Sequence, residues 1–506
     1  MAKKIMIQGT MSNAGKSLIA AGLCRIFRQD GLRTAPFKSQ NMALNSFVTP
    51  EGLEIGRAQA VQAEAAGVSP TADMNPILLK PTSHTGSQVI VHGIPLGDMS
   101  AREYFRKKRD LIPEVMASFR RLEEAFDVIV IEGAGSPAEI NLRQDDIVNM
   151  GLAELVDSPV LLAGDIDRGG VFAQLYGTVM LLEERERRRI GGLLINKFRG
   201  DSSLLDSGIT KIEELLGIPV LGLIPMADID IDDEDSLSSR LAVHSGNRAA
   251  ASGCADIAVI RLPRLSNFTD FHALEIMPGL SVRYVDREAQ LGSPDMVILP
   301  GTKNTVEDFI WLRETGLENR ILGLARKGTP VFGICGGFQM MGAELLDPEG
   351  TEGGIPGRSL PGMGLIPMRT VFRGEKVRTQ DTGHFAEVPG IFAGLTGMPY
   401  EGYQIHMGVS ECIADEGREG RFLLPEKSGD SKAMCGYARE NIYGTYLHGI
   451  FDGEGIAAAV EEALCGKAPR GVPDYRAYRE EQYDRLADLI RESLDMVRIR
   501  KLMGLD

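Results

Sequence analysis

The sequence predicts an α/β protein built from two parallel-sheet domains. The chain has 506 residues, and because a single hydrophobic core rarely grows beyond ~250–300 residues, this length favours two cores. In both halves, short apolar runs of strand length alternate with longer stretches of helical periodicity, which is the pattern of a parallel sheet covered by helices. An acid-rich run that begins at Asp228 separates the two halves.

Five apolar runs predict the strands of the first domain. They are Ile5–Gln8, Val128–Glu132, Val160–Ala163, Gly192–Asn196 and Val220–Ile224. We therefore assign residues 1–235 to this domain. The acidic, small and polar residues that follow, as far as Gly253, predict a linker at 236–253.

Three further runs predict strands of the second domain. They are Ile257–Ile260, Met296–Pro300 and Val331–Ile334. We expect this domain to cover residues 254–460. Beyond it, apolar residues at helical spacing between Tyr475 and Leu502 predict a helical C-terminal tail at 461–506.

The composition is that of an ordinary soluble protein and points to small-molecule partners. Hydrophobic residues make up 43% and charged residues 25% of the chain, so nothing suggests disorder. The net charge of −15 opposes nonspecific binding to nucleic acid or to an anionic membrane, and no run is long enough to span a bilayer. Six scattered cysteines lack any CxxC spacing, which disfavours disulfides and zinc sites. Since the start also shows no signal segment, we expect a cytoplasmic protein.

The first strand leads into a glycine-rich loop, GTMSNAGKS, and then into a helix. In this context backbone N–H groups cradle nucleotide phosphates, a lysine neutralises their charge and a hydroxyl binds Mg²⁺. The sequence therefore predicts a site for ATP and Mg²⁺. Its glycines are separated by five residues, one more than in the usual motif, and the alternative is an ordinary glycine turn before a helix. The expected nucleotide contacts are Gly9, Thr10, Asn13, Gly15, Lys16 and Ser17, of which Ser17 also binds the metal.

An acid follows the second predicted strand. Val128–Glu132 ends in a carboxylate before a glycine turn. Because the carboxyl ends of parallel strands meet at one edge of a sheet, Glu132 should lie beside the phosphates and hold Mg²⁺ together with Ser17. The alternative is a solvated acid at a strand end. Asp165 follows the third strand in the same way.

A cysteine on a sharp turn marks a second site. The apolar strand Val331–Ile334 runs into Cys335, which two glycines and a helical stretch follow. Small neighbours permit the strained turn that exposes the sulfur, and a helix N-terminus lowers the pKa of a thiol from its ordinary ~8.5. His448 ends a strand-like run far downstream and would deprotonate Cys335. The alternatives are an inert core cysteine and a structural histidine.

The phosphate loop, with its extra residue, resembles that of dethiobiotin synthetase and its relatives. This resemblance implies an ATP-binding domain of the same type. It also implies an adenine contact at Asn196, for which the alternative is an amide that only caps a strand.

The strings around Cys335 and His448 resemble the class I glutamine amidotransferases, which release ammonia from glutamine in a flavodoxin-like domain. The resemblance implies an oxyanion hole formed by Gly301 and Gly336. That family has an acid two residues after its histidine, whereas this chain has an isoleucine there. Either another acid, such as Asp452, orients His448, or a Cys-His dyad suffices.

A phosphate-loop domain fused to such a glutaminase is the architecture of the cobyrinic acid amidases, and strings along nearly the whole chain are similar to the cobyric acid synthase family. Those strings are Lys38–Met42, Asp165–Phe172, Asn196–Asp201, Ser266–Phe271, Gly402–Gly408 and the strand of His448. The resemblance implies amidation of carboxylates b, d, e and g of adenosylcobyrinic acid a,c-diamide, with glutamine as nitrogen donor and ATP with Mg²⁺. The partners would be these small molecules, with no nucleic acid and no membrane, and a homo-oligomer is left open.

Three alternatives remain at this point. An enzyme that amidates carboxylates a and c would have similar domains, and only the family strings separate the two. A partition-type ATPase switch uses a related loop but carries an extra lysine early in it, where this chain has Thr10, Met11 and Ser12. A binding module with an inactive glutaminase domain would not need both Cys335 and His448.

Overall fold

A computed structural model of the chain describes residues 1–82, 86–232, 255–352, 354–413, 420–426, 434–469, 471 and 473–505. The chain divides into two compact units. The first consists of Met1–Ala43, Leu53–Glu234 and Arg479–Asp506, and the second of Leu44–Gly52 and Asp235–Tyr478. The predicted linker at 236–253 lies outside the described residues.

The first unit contains a six-stranded parallel sheet. Its strands, in spatial order, are Val220–Pro225, Ile190–Phe198, Val160–Asp165, Lys3–Gly9, Val128–Glu132 and Thr34–Phe37. Ile7 is paired with Glu132, and Gly9 with Ala163. The strand that precedes the glycine-rich loop is therefore central, and the loop lies at the same sheet edge as Glu132 and Asp165.

Helices and a smaller sheet complete the first unit. The smaller sheet consists of Gln40–Met42, Ile77–Pro81, Gly86–Val91 and Ile94–Ser100, and a short strand covers Glu54–Gly56. The helices are Lys16–Gln29, Arg57–Ala66, Ala101–Lys107, Ile112–Ala125, Met150–Leu155, Val171–Leu181, Glu184–Arg187, Asp206–Leu216 and Met496–Met503.

The predicted C-terminal tail is divided between the two units. One helix covers Tyr475–Ser493, and its residues from Arg479 onward belong to the first unit. Leu486 and Ile490 pack in the apolar cluster that also contains Ile19 and Leu23 of the Lys16–Gln29 helix. A Cβ on Gly22 would lie 2.8 Å from Ile490 Cγ1, so this close approach of the two helices requires glycine. Apolar packing therefore joins this part of the tail to the phosphate-loop helix.

The second unit contains two sheets. Five parallel strands and one antiparallel edge strand form the first, in the order Leu280–Val285, Ala255–Ile260, Met296–Leu299, Val331–Ile334, Ile442–Thr445 and Gly436–Arg439. The second sheet has the order Arg358–Pro361, Glu344–Asp347, Met368–Phe385, Pro399–Cys412 and Leu447–His448, with Leu423–Pro425 paired to Met368–Phe385. The helices are His272–Glu275, Glu288–Leu291, Thr305–Glu314, Leu317–Ala325, Gly336–Met340 and Ile456–Cys465.

The predicted fold class, two α/β domains with parallel sheets, is confirmed. All eight predicted strands are present, with ends that differ by a few residues at most. In the described part of the chain, no helix is long and apolar enough to cross a membrane.

Candidate active sites

The glycine-rich loop of the first unit connects the central strand to the helix that begins at Lys16. Asn13 and Gly15 have φ values of 60° and 92°, so the loop turns through the left-handed region twice. Asn196 Nδ2 donates a hydrogen bond of 2.9 Å to the Ala14 carbonyl. A Cβ at Gly15 would lie 2.0 Å from that same nitrogen. Asn196 therefore braces the loop, and Gly15 is required where the two meet.

Lys16 reaches across the loop. Its Nζ donates hydrogen bonds to the carbonyls of Met11, at 3.1 Å, and Gly135, at 3.2 Å. The side chain is largely buried. The ammonium group thus lies between the loop and the turn after Glu132, where it can neutralise bound phosphate.

Glu132 is the centre of a buried polar cluster. Its Oε1 accepts hydrogen bonds from Ser17 Oγ and from Lys38 Nζ, both at 2.8 Å. Its Oε2 accepts one from Gln62 Nε2 at 2.6 Å. The structure thus brings together the two residues predicted to bind Mg²⁺. Lys38 and Gln62 are additions that the sequence analysis did not assign to this cluster.

The donor set of this cluster fits Mg²⁺. A carboxylate and a hydroxyl are hard oxygen ligands, and Mg²⁺ is commonly held by one or two carboxylates together with substrate phosphates. The described residues contain no group of three or more His, Cys, Asp or Glu side chains arranged to hold a metal by themselves.

A second acid at the same sheet edge supports the loop. Asp165 is fully buried and accepts a hydrogen bond of 2.8 Å from Lys197 Nζ. Lys197 Nζ also donates to the Asn13 carbonyl at 2.6 Å. Asp165 therefore connects to the loop through a lysine.

In the second unit, Cys335 lies at a strained turn between the Val331–Ile334 strand and the Gly336–Met340 helix. Its φ of 50° and ψ of −108° are rare for a residue with a side chain, and such strain costs about 1–3 kcal/mol. Its N–H donates to the Thr445 carbonyl at 2.8 Å. A Cβ on Gly337 would lie 2.0 Å from the Leu299 carbonyl oxygen, so the chain can turn here only with glycine. The strained turn is thus as predicted, but the expectation that it exposes the sulfur is wrong, because Cys335 is buried.

His448 is hydrogen-bonded on one side to Asp270. Its Nδ1 donates to Asp270 Oδ2 at 2.7 Å, and the N–H of Gly449 donates to Asp270 Oδ1 at 3.0 Å. Both side chains are buried. The acid that orients the histidine is therefore Asp270 and not Asp452, which the sequence analysis had considered.

The charge state of His448 is governed by its neighbours. Burial alone lowers the pKa of this imidazole, but the Asp270 carboxylate and the hydrogen-bonded Cys335 side chain outweigh burial and raise the pKa to about 10. At neutral pH His448 is thus positively charged. The imidazolium is hydrogen-bonded to the Cys335 side chain, so it can exchange a proton with the groups that react at the sulfur.

Two glycines flank this triad. A Cβ on Gly301 would lie 2.9 Å from His448 Cε1, and one on Gly336 would lie 2.6 Å from Thr302 Cγ2. The residues predicted to form an oxyanion hole are thus adjacent to His448 and to Cys335, respectively, and leave room that a side chain would fill.

Polar side chains behind Cys335 form a buried network. Cys335 Sγ lies 3.5 Å from the Ile405 carbonyl. Gln339 Nε2 donates to the Met407 carbonyl at 2.8 Å, and its Oε1 accepts from Thr305 Oγ1 at 2.8 Å. His406 stacks on Tyr446 with ring centroids 3.7 Å apart. Burial lowers the pKa of His406 to about 3, so this histidine is neutral and does not compete with His448 as a cation.

Comparison with known proteins assigns the two units to two domain families. Residues 5–237 match the CobQ/CobB/MinD/ParA nucleotide binding domain. Residues 256–456 match the CobB/CobQ-like glutamine amidotransferase domain. Cys335, His448 and Asp270 all lie within the second match.

Relatives that match along the full length decide the family. Cobyric acid synthase of Lachnoclostridium phytofermentans is 53% identical, with 99% of each chain covered. That of Ruminiclostridium cellulolyticum is 54% identical over 99% of this chain and 97% of its own, and that of Salmonella typhimurium is 47% identical over 99% of each. The chain belongs to the cobyric acid synthase family.

Membership of the cobyric acid synthase family makes this chain an ATP-dependent amidating enzyme, because both domains of the family are present and the match is continuous across them. The predicted family resemblance is confirmed. A partition-type ATPase switch is disfavoured, since the match to the cobyric acid synthases extends through the amidotransferase domain.

Sequence reasoning missed Asp270, and one signal could have found it. The string Ser266–Phe271 was noted only as a family resemblance, although it contains an acid. Because Asp270 precedes His448 by 178 residues, no spacing rule connects the two.

Proposed function

We propose that this enzyme amidates carboxylates b, d, e and g of adenosylcobyrinic acid a,c-diamide, with glutamine as nitrogen donor and ATP as the source of activation. The full-length identity to cobyric acid synthases supports the substrate. The observation that carries the chemistry is the triad of Cys335, His448 and Asp270 in one unit, together with a nucleotide-type loop in the other.

In the amidotransferase unit, Cys335 Sγ attacks the side-chain amide carbon of glutamine. The C–N bond breaks, His448 gives its proton to the departing nitrogen, and ammonia leaves a thioester behind. A water molecule, deprotonated by His448, then hydrolyses the thioester to glutamate and restores the thiol. Asp270 holds the imidazole in one orientation through both steps. We assign the N–H groups of Gly301 and Gly336 to the oxyanion.

In the nucleotide-binding unit, a substrate carboxylate attacks the γ-phosphorus of ATP. A carboxylate resists attack by ammonia at neutral pH. Transfer of the phosphoryl group, with release of ADP, creates an acyl phosphate, and ammonia then attacks its acyl carbon and releases inorganic phosphate to form the amide. Lys16 and the N–H groups of the loop stabilise the transferring charge. The nucleotide contacts we assign are Gly9, Thr10, Asn13, Gly15, Lys16, Ser17 and Asn196.

Ser17 Oγ and the Glu132 carboxylate are the residues that would hold Mg²⁺, since they already share a hydrogen bond of 2.8 Å. Held there, Mg²⁺ would neutralise charge on the phosphates and orient them. The hydrogen bond of 2.8 Å from Lys38 Nζ to the same Glu132 oxygen holds the carboxylate in place beside Ser17.

We further propose that the partners are small molecules only and that the enzyme is cytoplasmic. The net charge of −15 disfavours nucleic acid and anionic membranes. The six scattered cysteines lack any CxxC spacing, which disfavours disulfides and supports a reducing compartment. A homo-oligomer is left open.

The decisive experiment supplies the a,c-diamide, amide-¹⁵N glutamine and ATP with Mg²⁺, and counts the ¹⁵N atoms incorporated by mass spectrometry. One label for each of the four carboxylates named above is expected. In a parallel reaction with cobyrinic acid in place of the a,c-diamide, labelling of carboxylates a and c alone would support the rival amidase. Hydrolysis of glutamine with no label in the corrinoid would contradict the proposal.

A further inference from the structure

The segment Leu44–Gly52 belongs to the second unit, although the chain on both sides of it belongs to the first. By sequence it lies inside the nucleotide-binding match at 5–237. It includes the short strand Ser46–Val48, and Val48 packs in an apolar cluster with Tyr403 and Ile405. The family boundary and the structural boundary therefore disagree for this segment.

Asn267 is bonded to this segment in both directions. Its N–H donates to Asn45 Oδ1 at 2.7 Å, and the N–H of Ser46 donates to Asn267 Oδ1 at 3.0 Å. Asn45, Ser46 and Asn267 are all buried. These hydrogen bonds are therefore shielded from water. Removing one partner would leave a buried polar group without a hydrogen bond, which costs free energy.

Asn267 begins the turn that carries the triad acid. Its φ of 53° is left-handed, and it precedes the helical turn Phe268–Phe271. Its carbonyl accepts a hydrogen bond of 3.0 Å from the N–H of Asp270. Because the direction of the turn is set by Asn267, the position of the Asp270 carboxylate depends on it.

Tyr403 connects the same segment to the triad histidine. Its hydroxyl donates to the Ser46 carbonyl at 3.0 Å and accepts from Asn267 Nδ2 at 3.2 Å. Its ring stacks on His448, with centroids 5.4 Å apart and an angle of 23° between the planes. Phe47 also packs edge-on against the Tyr403 ring, with ring centroids 5.2 Å apart.

We propose that Asn45 and Ser46 are positioning residues of the glutaminase. They hold Asn267 and Tyr403, which in turn fix Asp270 and His448. The amidotransferase site is thus completed by a piece of chain that belongs in sequence to the ATP-binding half and follows Lys38 closely. This inference rests on the proposed function, since it assumes that Cys335, His448 and Asp270 hydrolyse glutamine.

The test uses the full-length enzyme with Asn45→Ala and Asn267→Gly. Asn45→Ala removes the acceptor of the Asn267 N–H. Asn267→Gly keeps a residue that tolerates positive φ but removes the bonds to Ser46 and Tyr403. Each should lower kcat for glutamine hydrolysis about tenfold, the size of one buried hydrogen bond lost, with little change in KM for glutamine.

The pH profile separates positioning from general damage. With Asp270 displaced, the pKa of His448 should fall, so the basic limb of kcat/KM for glutamine should move to lower pH. Tyr403→Phe, which keeps the ring on His448 and removes only the hydroxyl, should shift that limb in the same direction. Synthesis from ammonia should be unchanged in all three variants.

A matched control is Asn441→Ala. Asn441 Nδ2 donates to the carbonyls of Ala325, at 2.9 Å, and Thr329, at 2.8 Å, away from the triad. This variant should have a lower melting temperature and the wild-type pH profile for glutamine hydrolysis.

The proposal is overturned if Asn45→Ala and Asn267→Gly, folded as well as the control, keep the wild-type kcat and pH profile. It is also overturned if they lose ammonia-dependent synthesis by the same factor. If the proposed function itself is wrong, the wild-type enzyme will not hydrolyse glutamine, and this is seen before any variant is assayed.

Discussion

Asp270 and His448 form a buried carboxylate–imidazole pair with an Oδ2–Nδ1 distance of 2.7 Å, although 178 residues separate them in the chain. The pair completes a triad with Cys335. It also supplies the acid that this sequence lacks two residues after His448, where the chain has Ile450.

Asp270→Asn should lower kcat for glutamine hydrolysis by about 10³–10⁴, because an amide no longer stabilises the imidazolium or fixes the ring tautomer. Steady-state assays of glutamate release measure this. The matched control is Asp452→Asn, which should retain most of the activity. A large loss in the Asp452 variant with a small loss in the Asp270 variant would reverse the assignment.

Cys335→Ala and Lys16→Ala should separate the two chemistries. The first should abolish amidation with glutamine but keep amidation with concentrated ammonium at alkaline pH, since free ammonia replaces the glutaminase product. His448→Ala should behave in the same way. Lys16→Ala should abolish amidation with either nitrogen source, because nothing replaces the acyl phosphate. A Lys16 variant that is active with ammonia would refute the phosphate-loop assignment.

Glu132→Gln should impair both synthesis and folding. It removes the proposed metal ligand and breaks the buried ion pair of 2.8 Å between Glu132 and the Lys38 ammonium. Breaking such a buried pair costs about 3–5 kcal/mol. Thermal unfolding with and without Mg²⁺-ATP measures the loss.

The control for that prediction is the double variant Lys38→Met with Glu132→Gln. Removing both charges should recover most of the stability, while synthesis stays low and glutamine hydrolysis is largely retained. If the double variant regains synthesis, Glu132 is not the metal ligand.

Stability should depend on pH through His448. Its pKa is raised in the folded state to about 10, above the unfolded value of about 6.5. The contribution of the His448 imidazolium to the free energy of unfolding is therefore fully present below about pH 6.5. It is lost as the pH rises through about 10. The difference in melting temperature between wild type and Asp270→Asn should accordingly shrink over that range. A difference that grows with pH would contradict the imidazolium–carboxylate pair.

The local features of both sites could be predicted from sequence because they depend on neighbouring residues. Cys335 lies between a strand and a helix, and Lys16 is the first residue of a helix. In both cases a short stretch of sequence determines the local backbone geometry. Glu132 was predictable for a related reason, since parallel strands place their carboxyl ends at one edge.

Contacts between distant segments could not be predicted in this way. Asp270, Lys38 and Gln62 reach their partners only through the tertiary fold. Asn196, which the family resemblance predicts as an adenine contact, also donates through its amide to the Ala14 carbonyl of the loop, and the sequence did not indicate that hydrogen bond. Leu44–Gly52 lies among first-unit residues in sequence, and no change in composition marks its place in the second unit.

The close contact of Gly22 with Ile490 has a consequence for biosynthesis on the ribosome. Domains usually fold as the nascent chain emerges, N-terminal domain first. Here Leu486 and Ile490 cover one face of the helix that begins at Lys16, so that face stays uncovered until residues beyond 479 have been translated. We expect the order of folding to be inverted. The amidotransferase unit, whose residues all precede Arg479, can form first, and the ATP-binding unit is completed last.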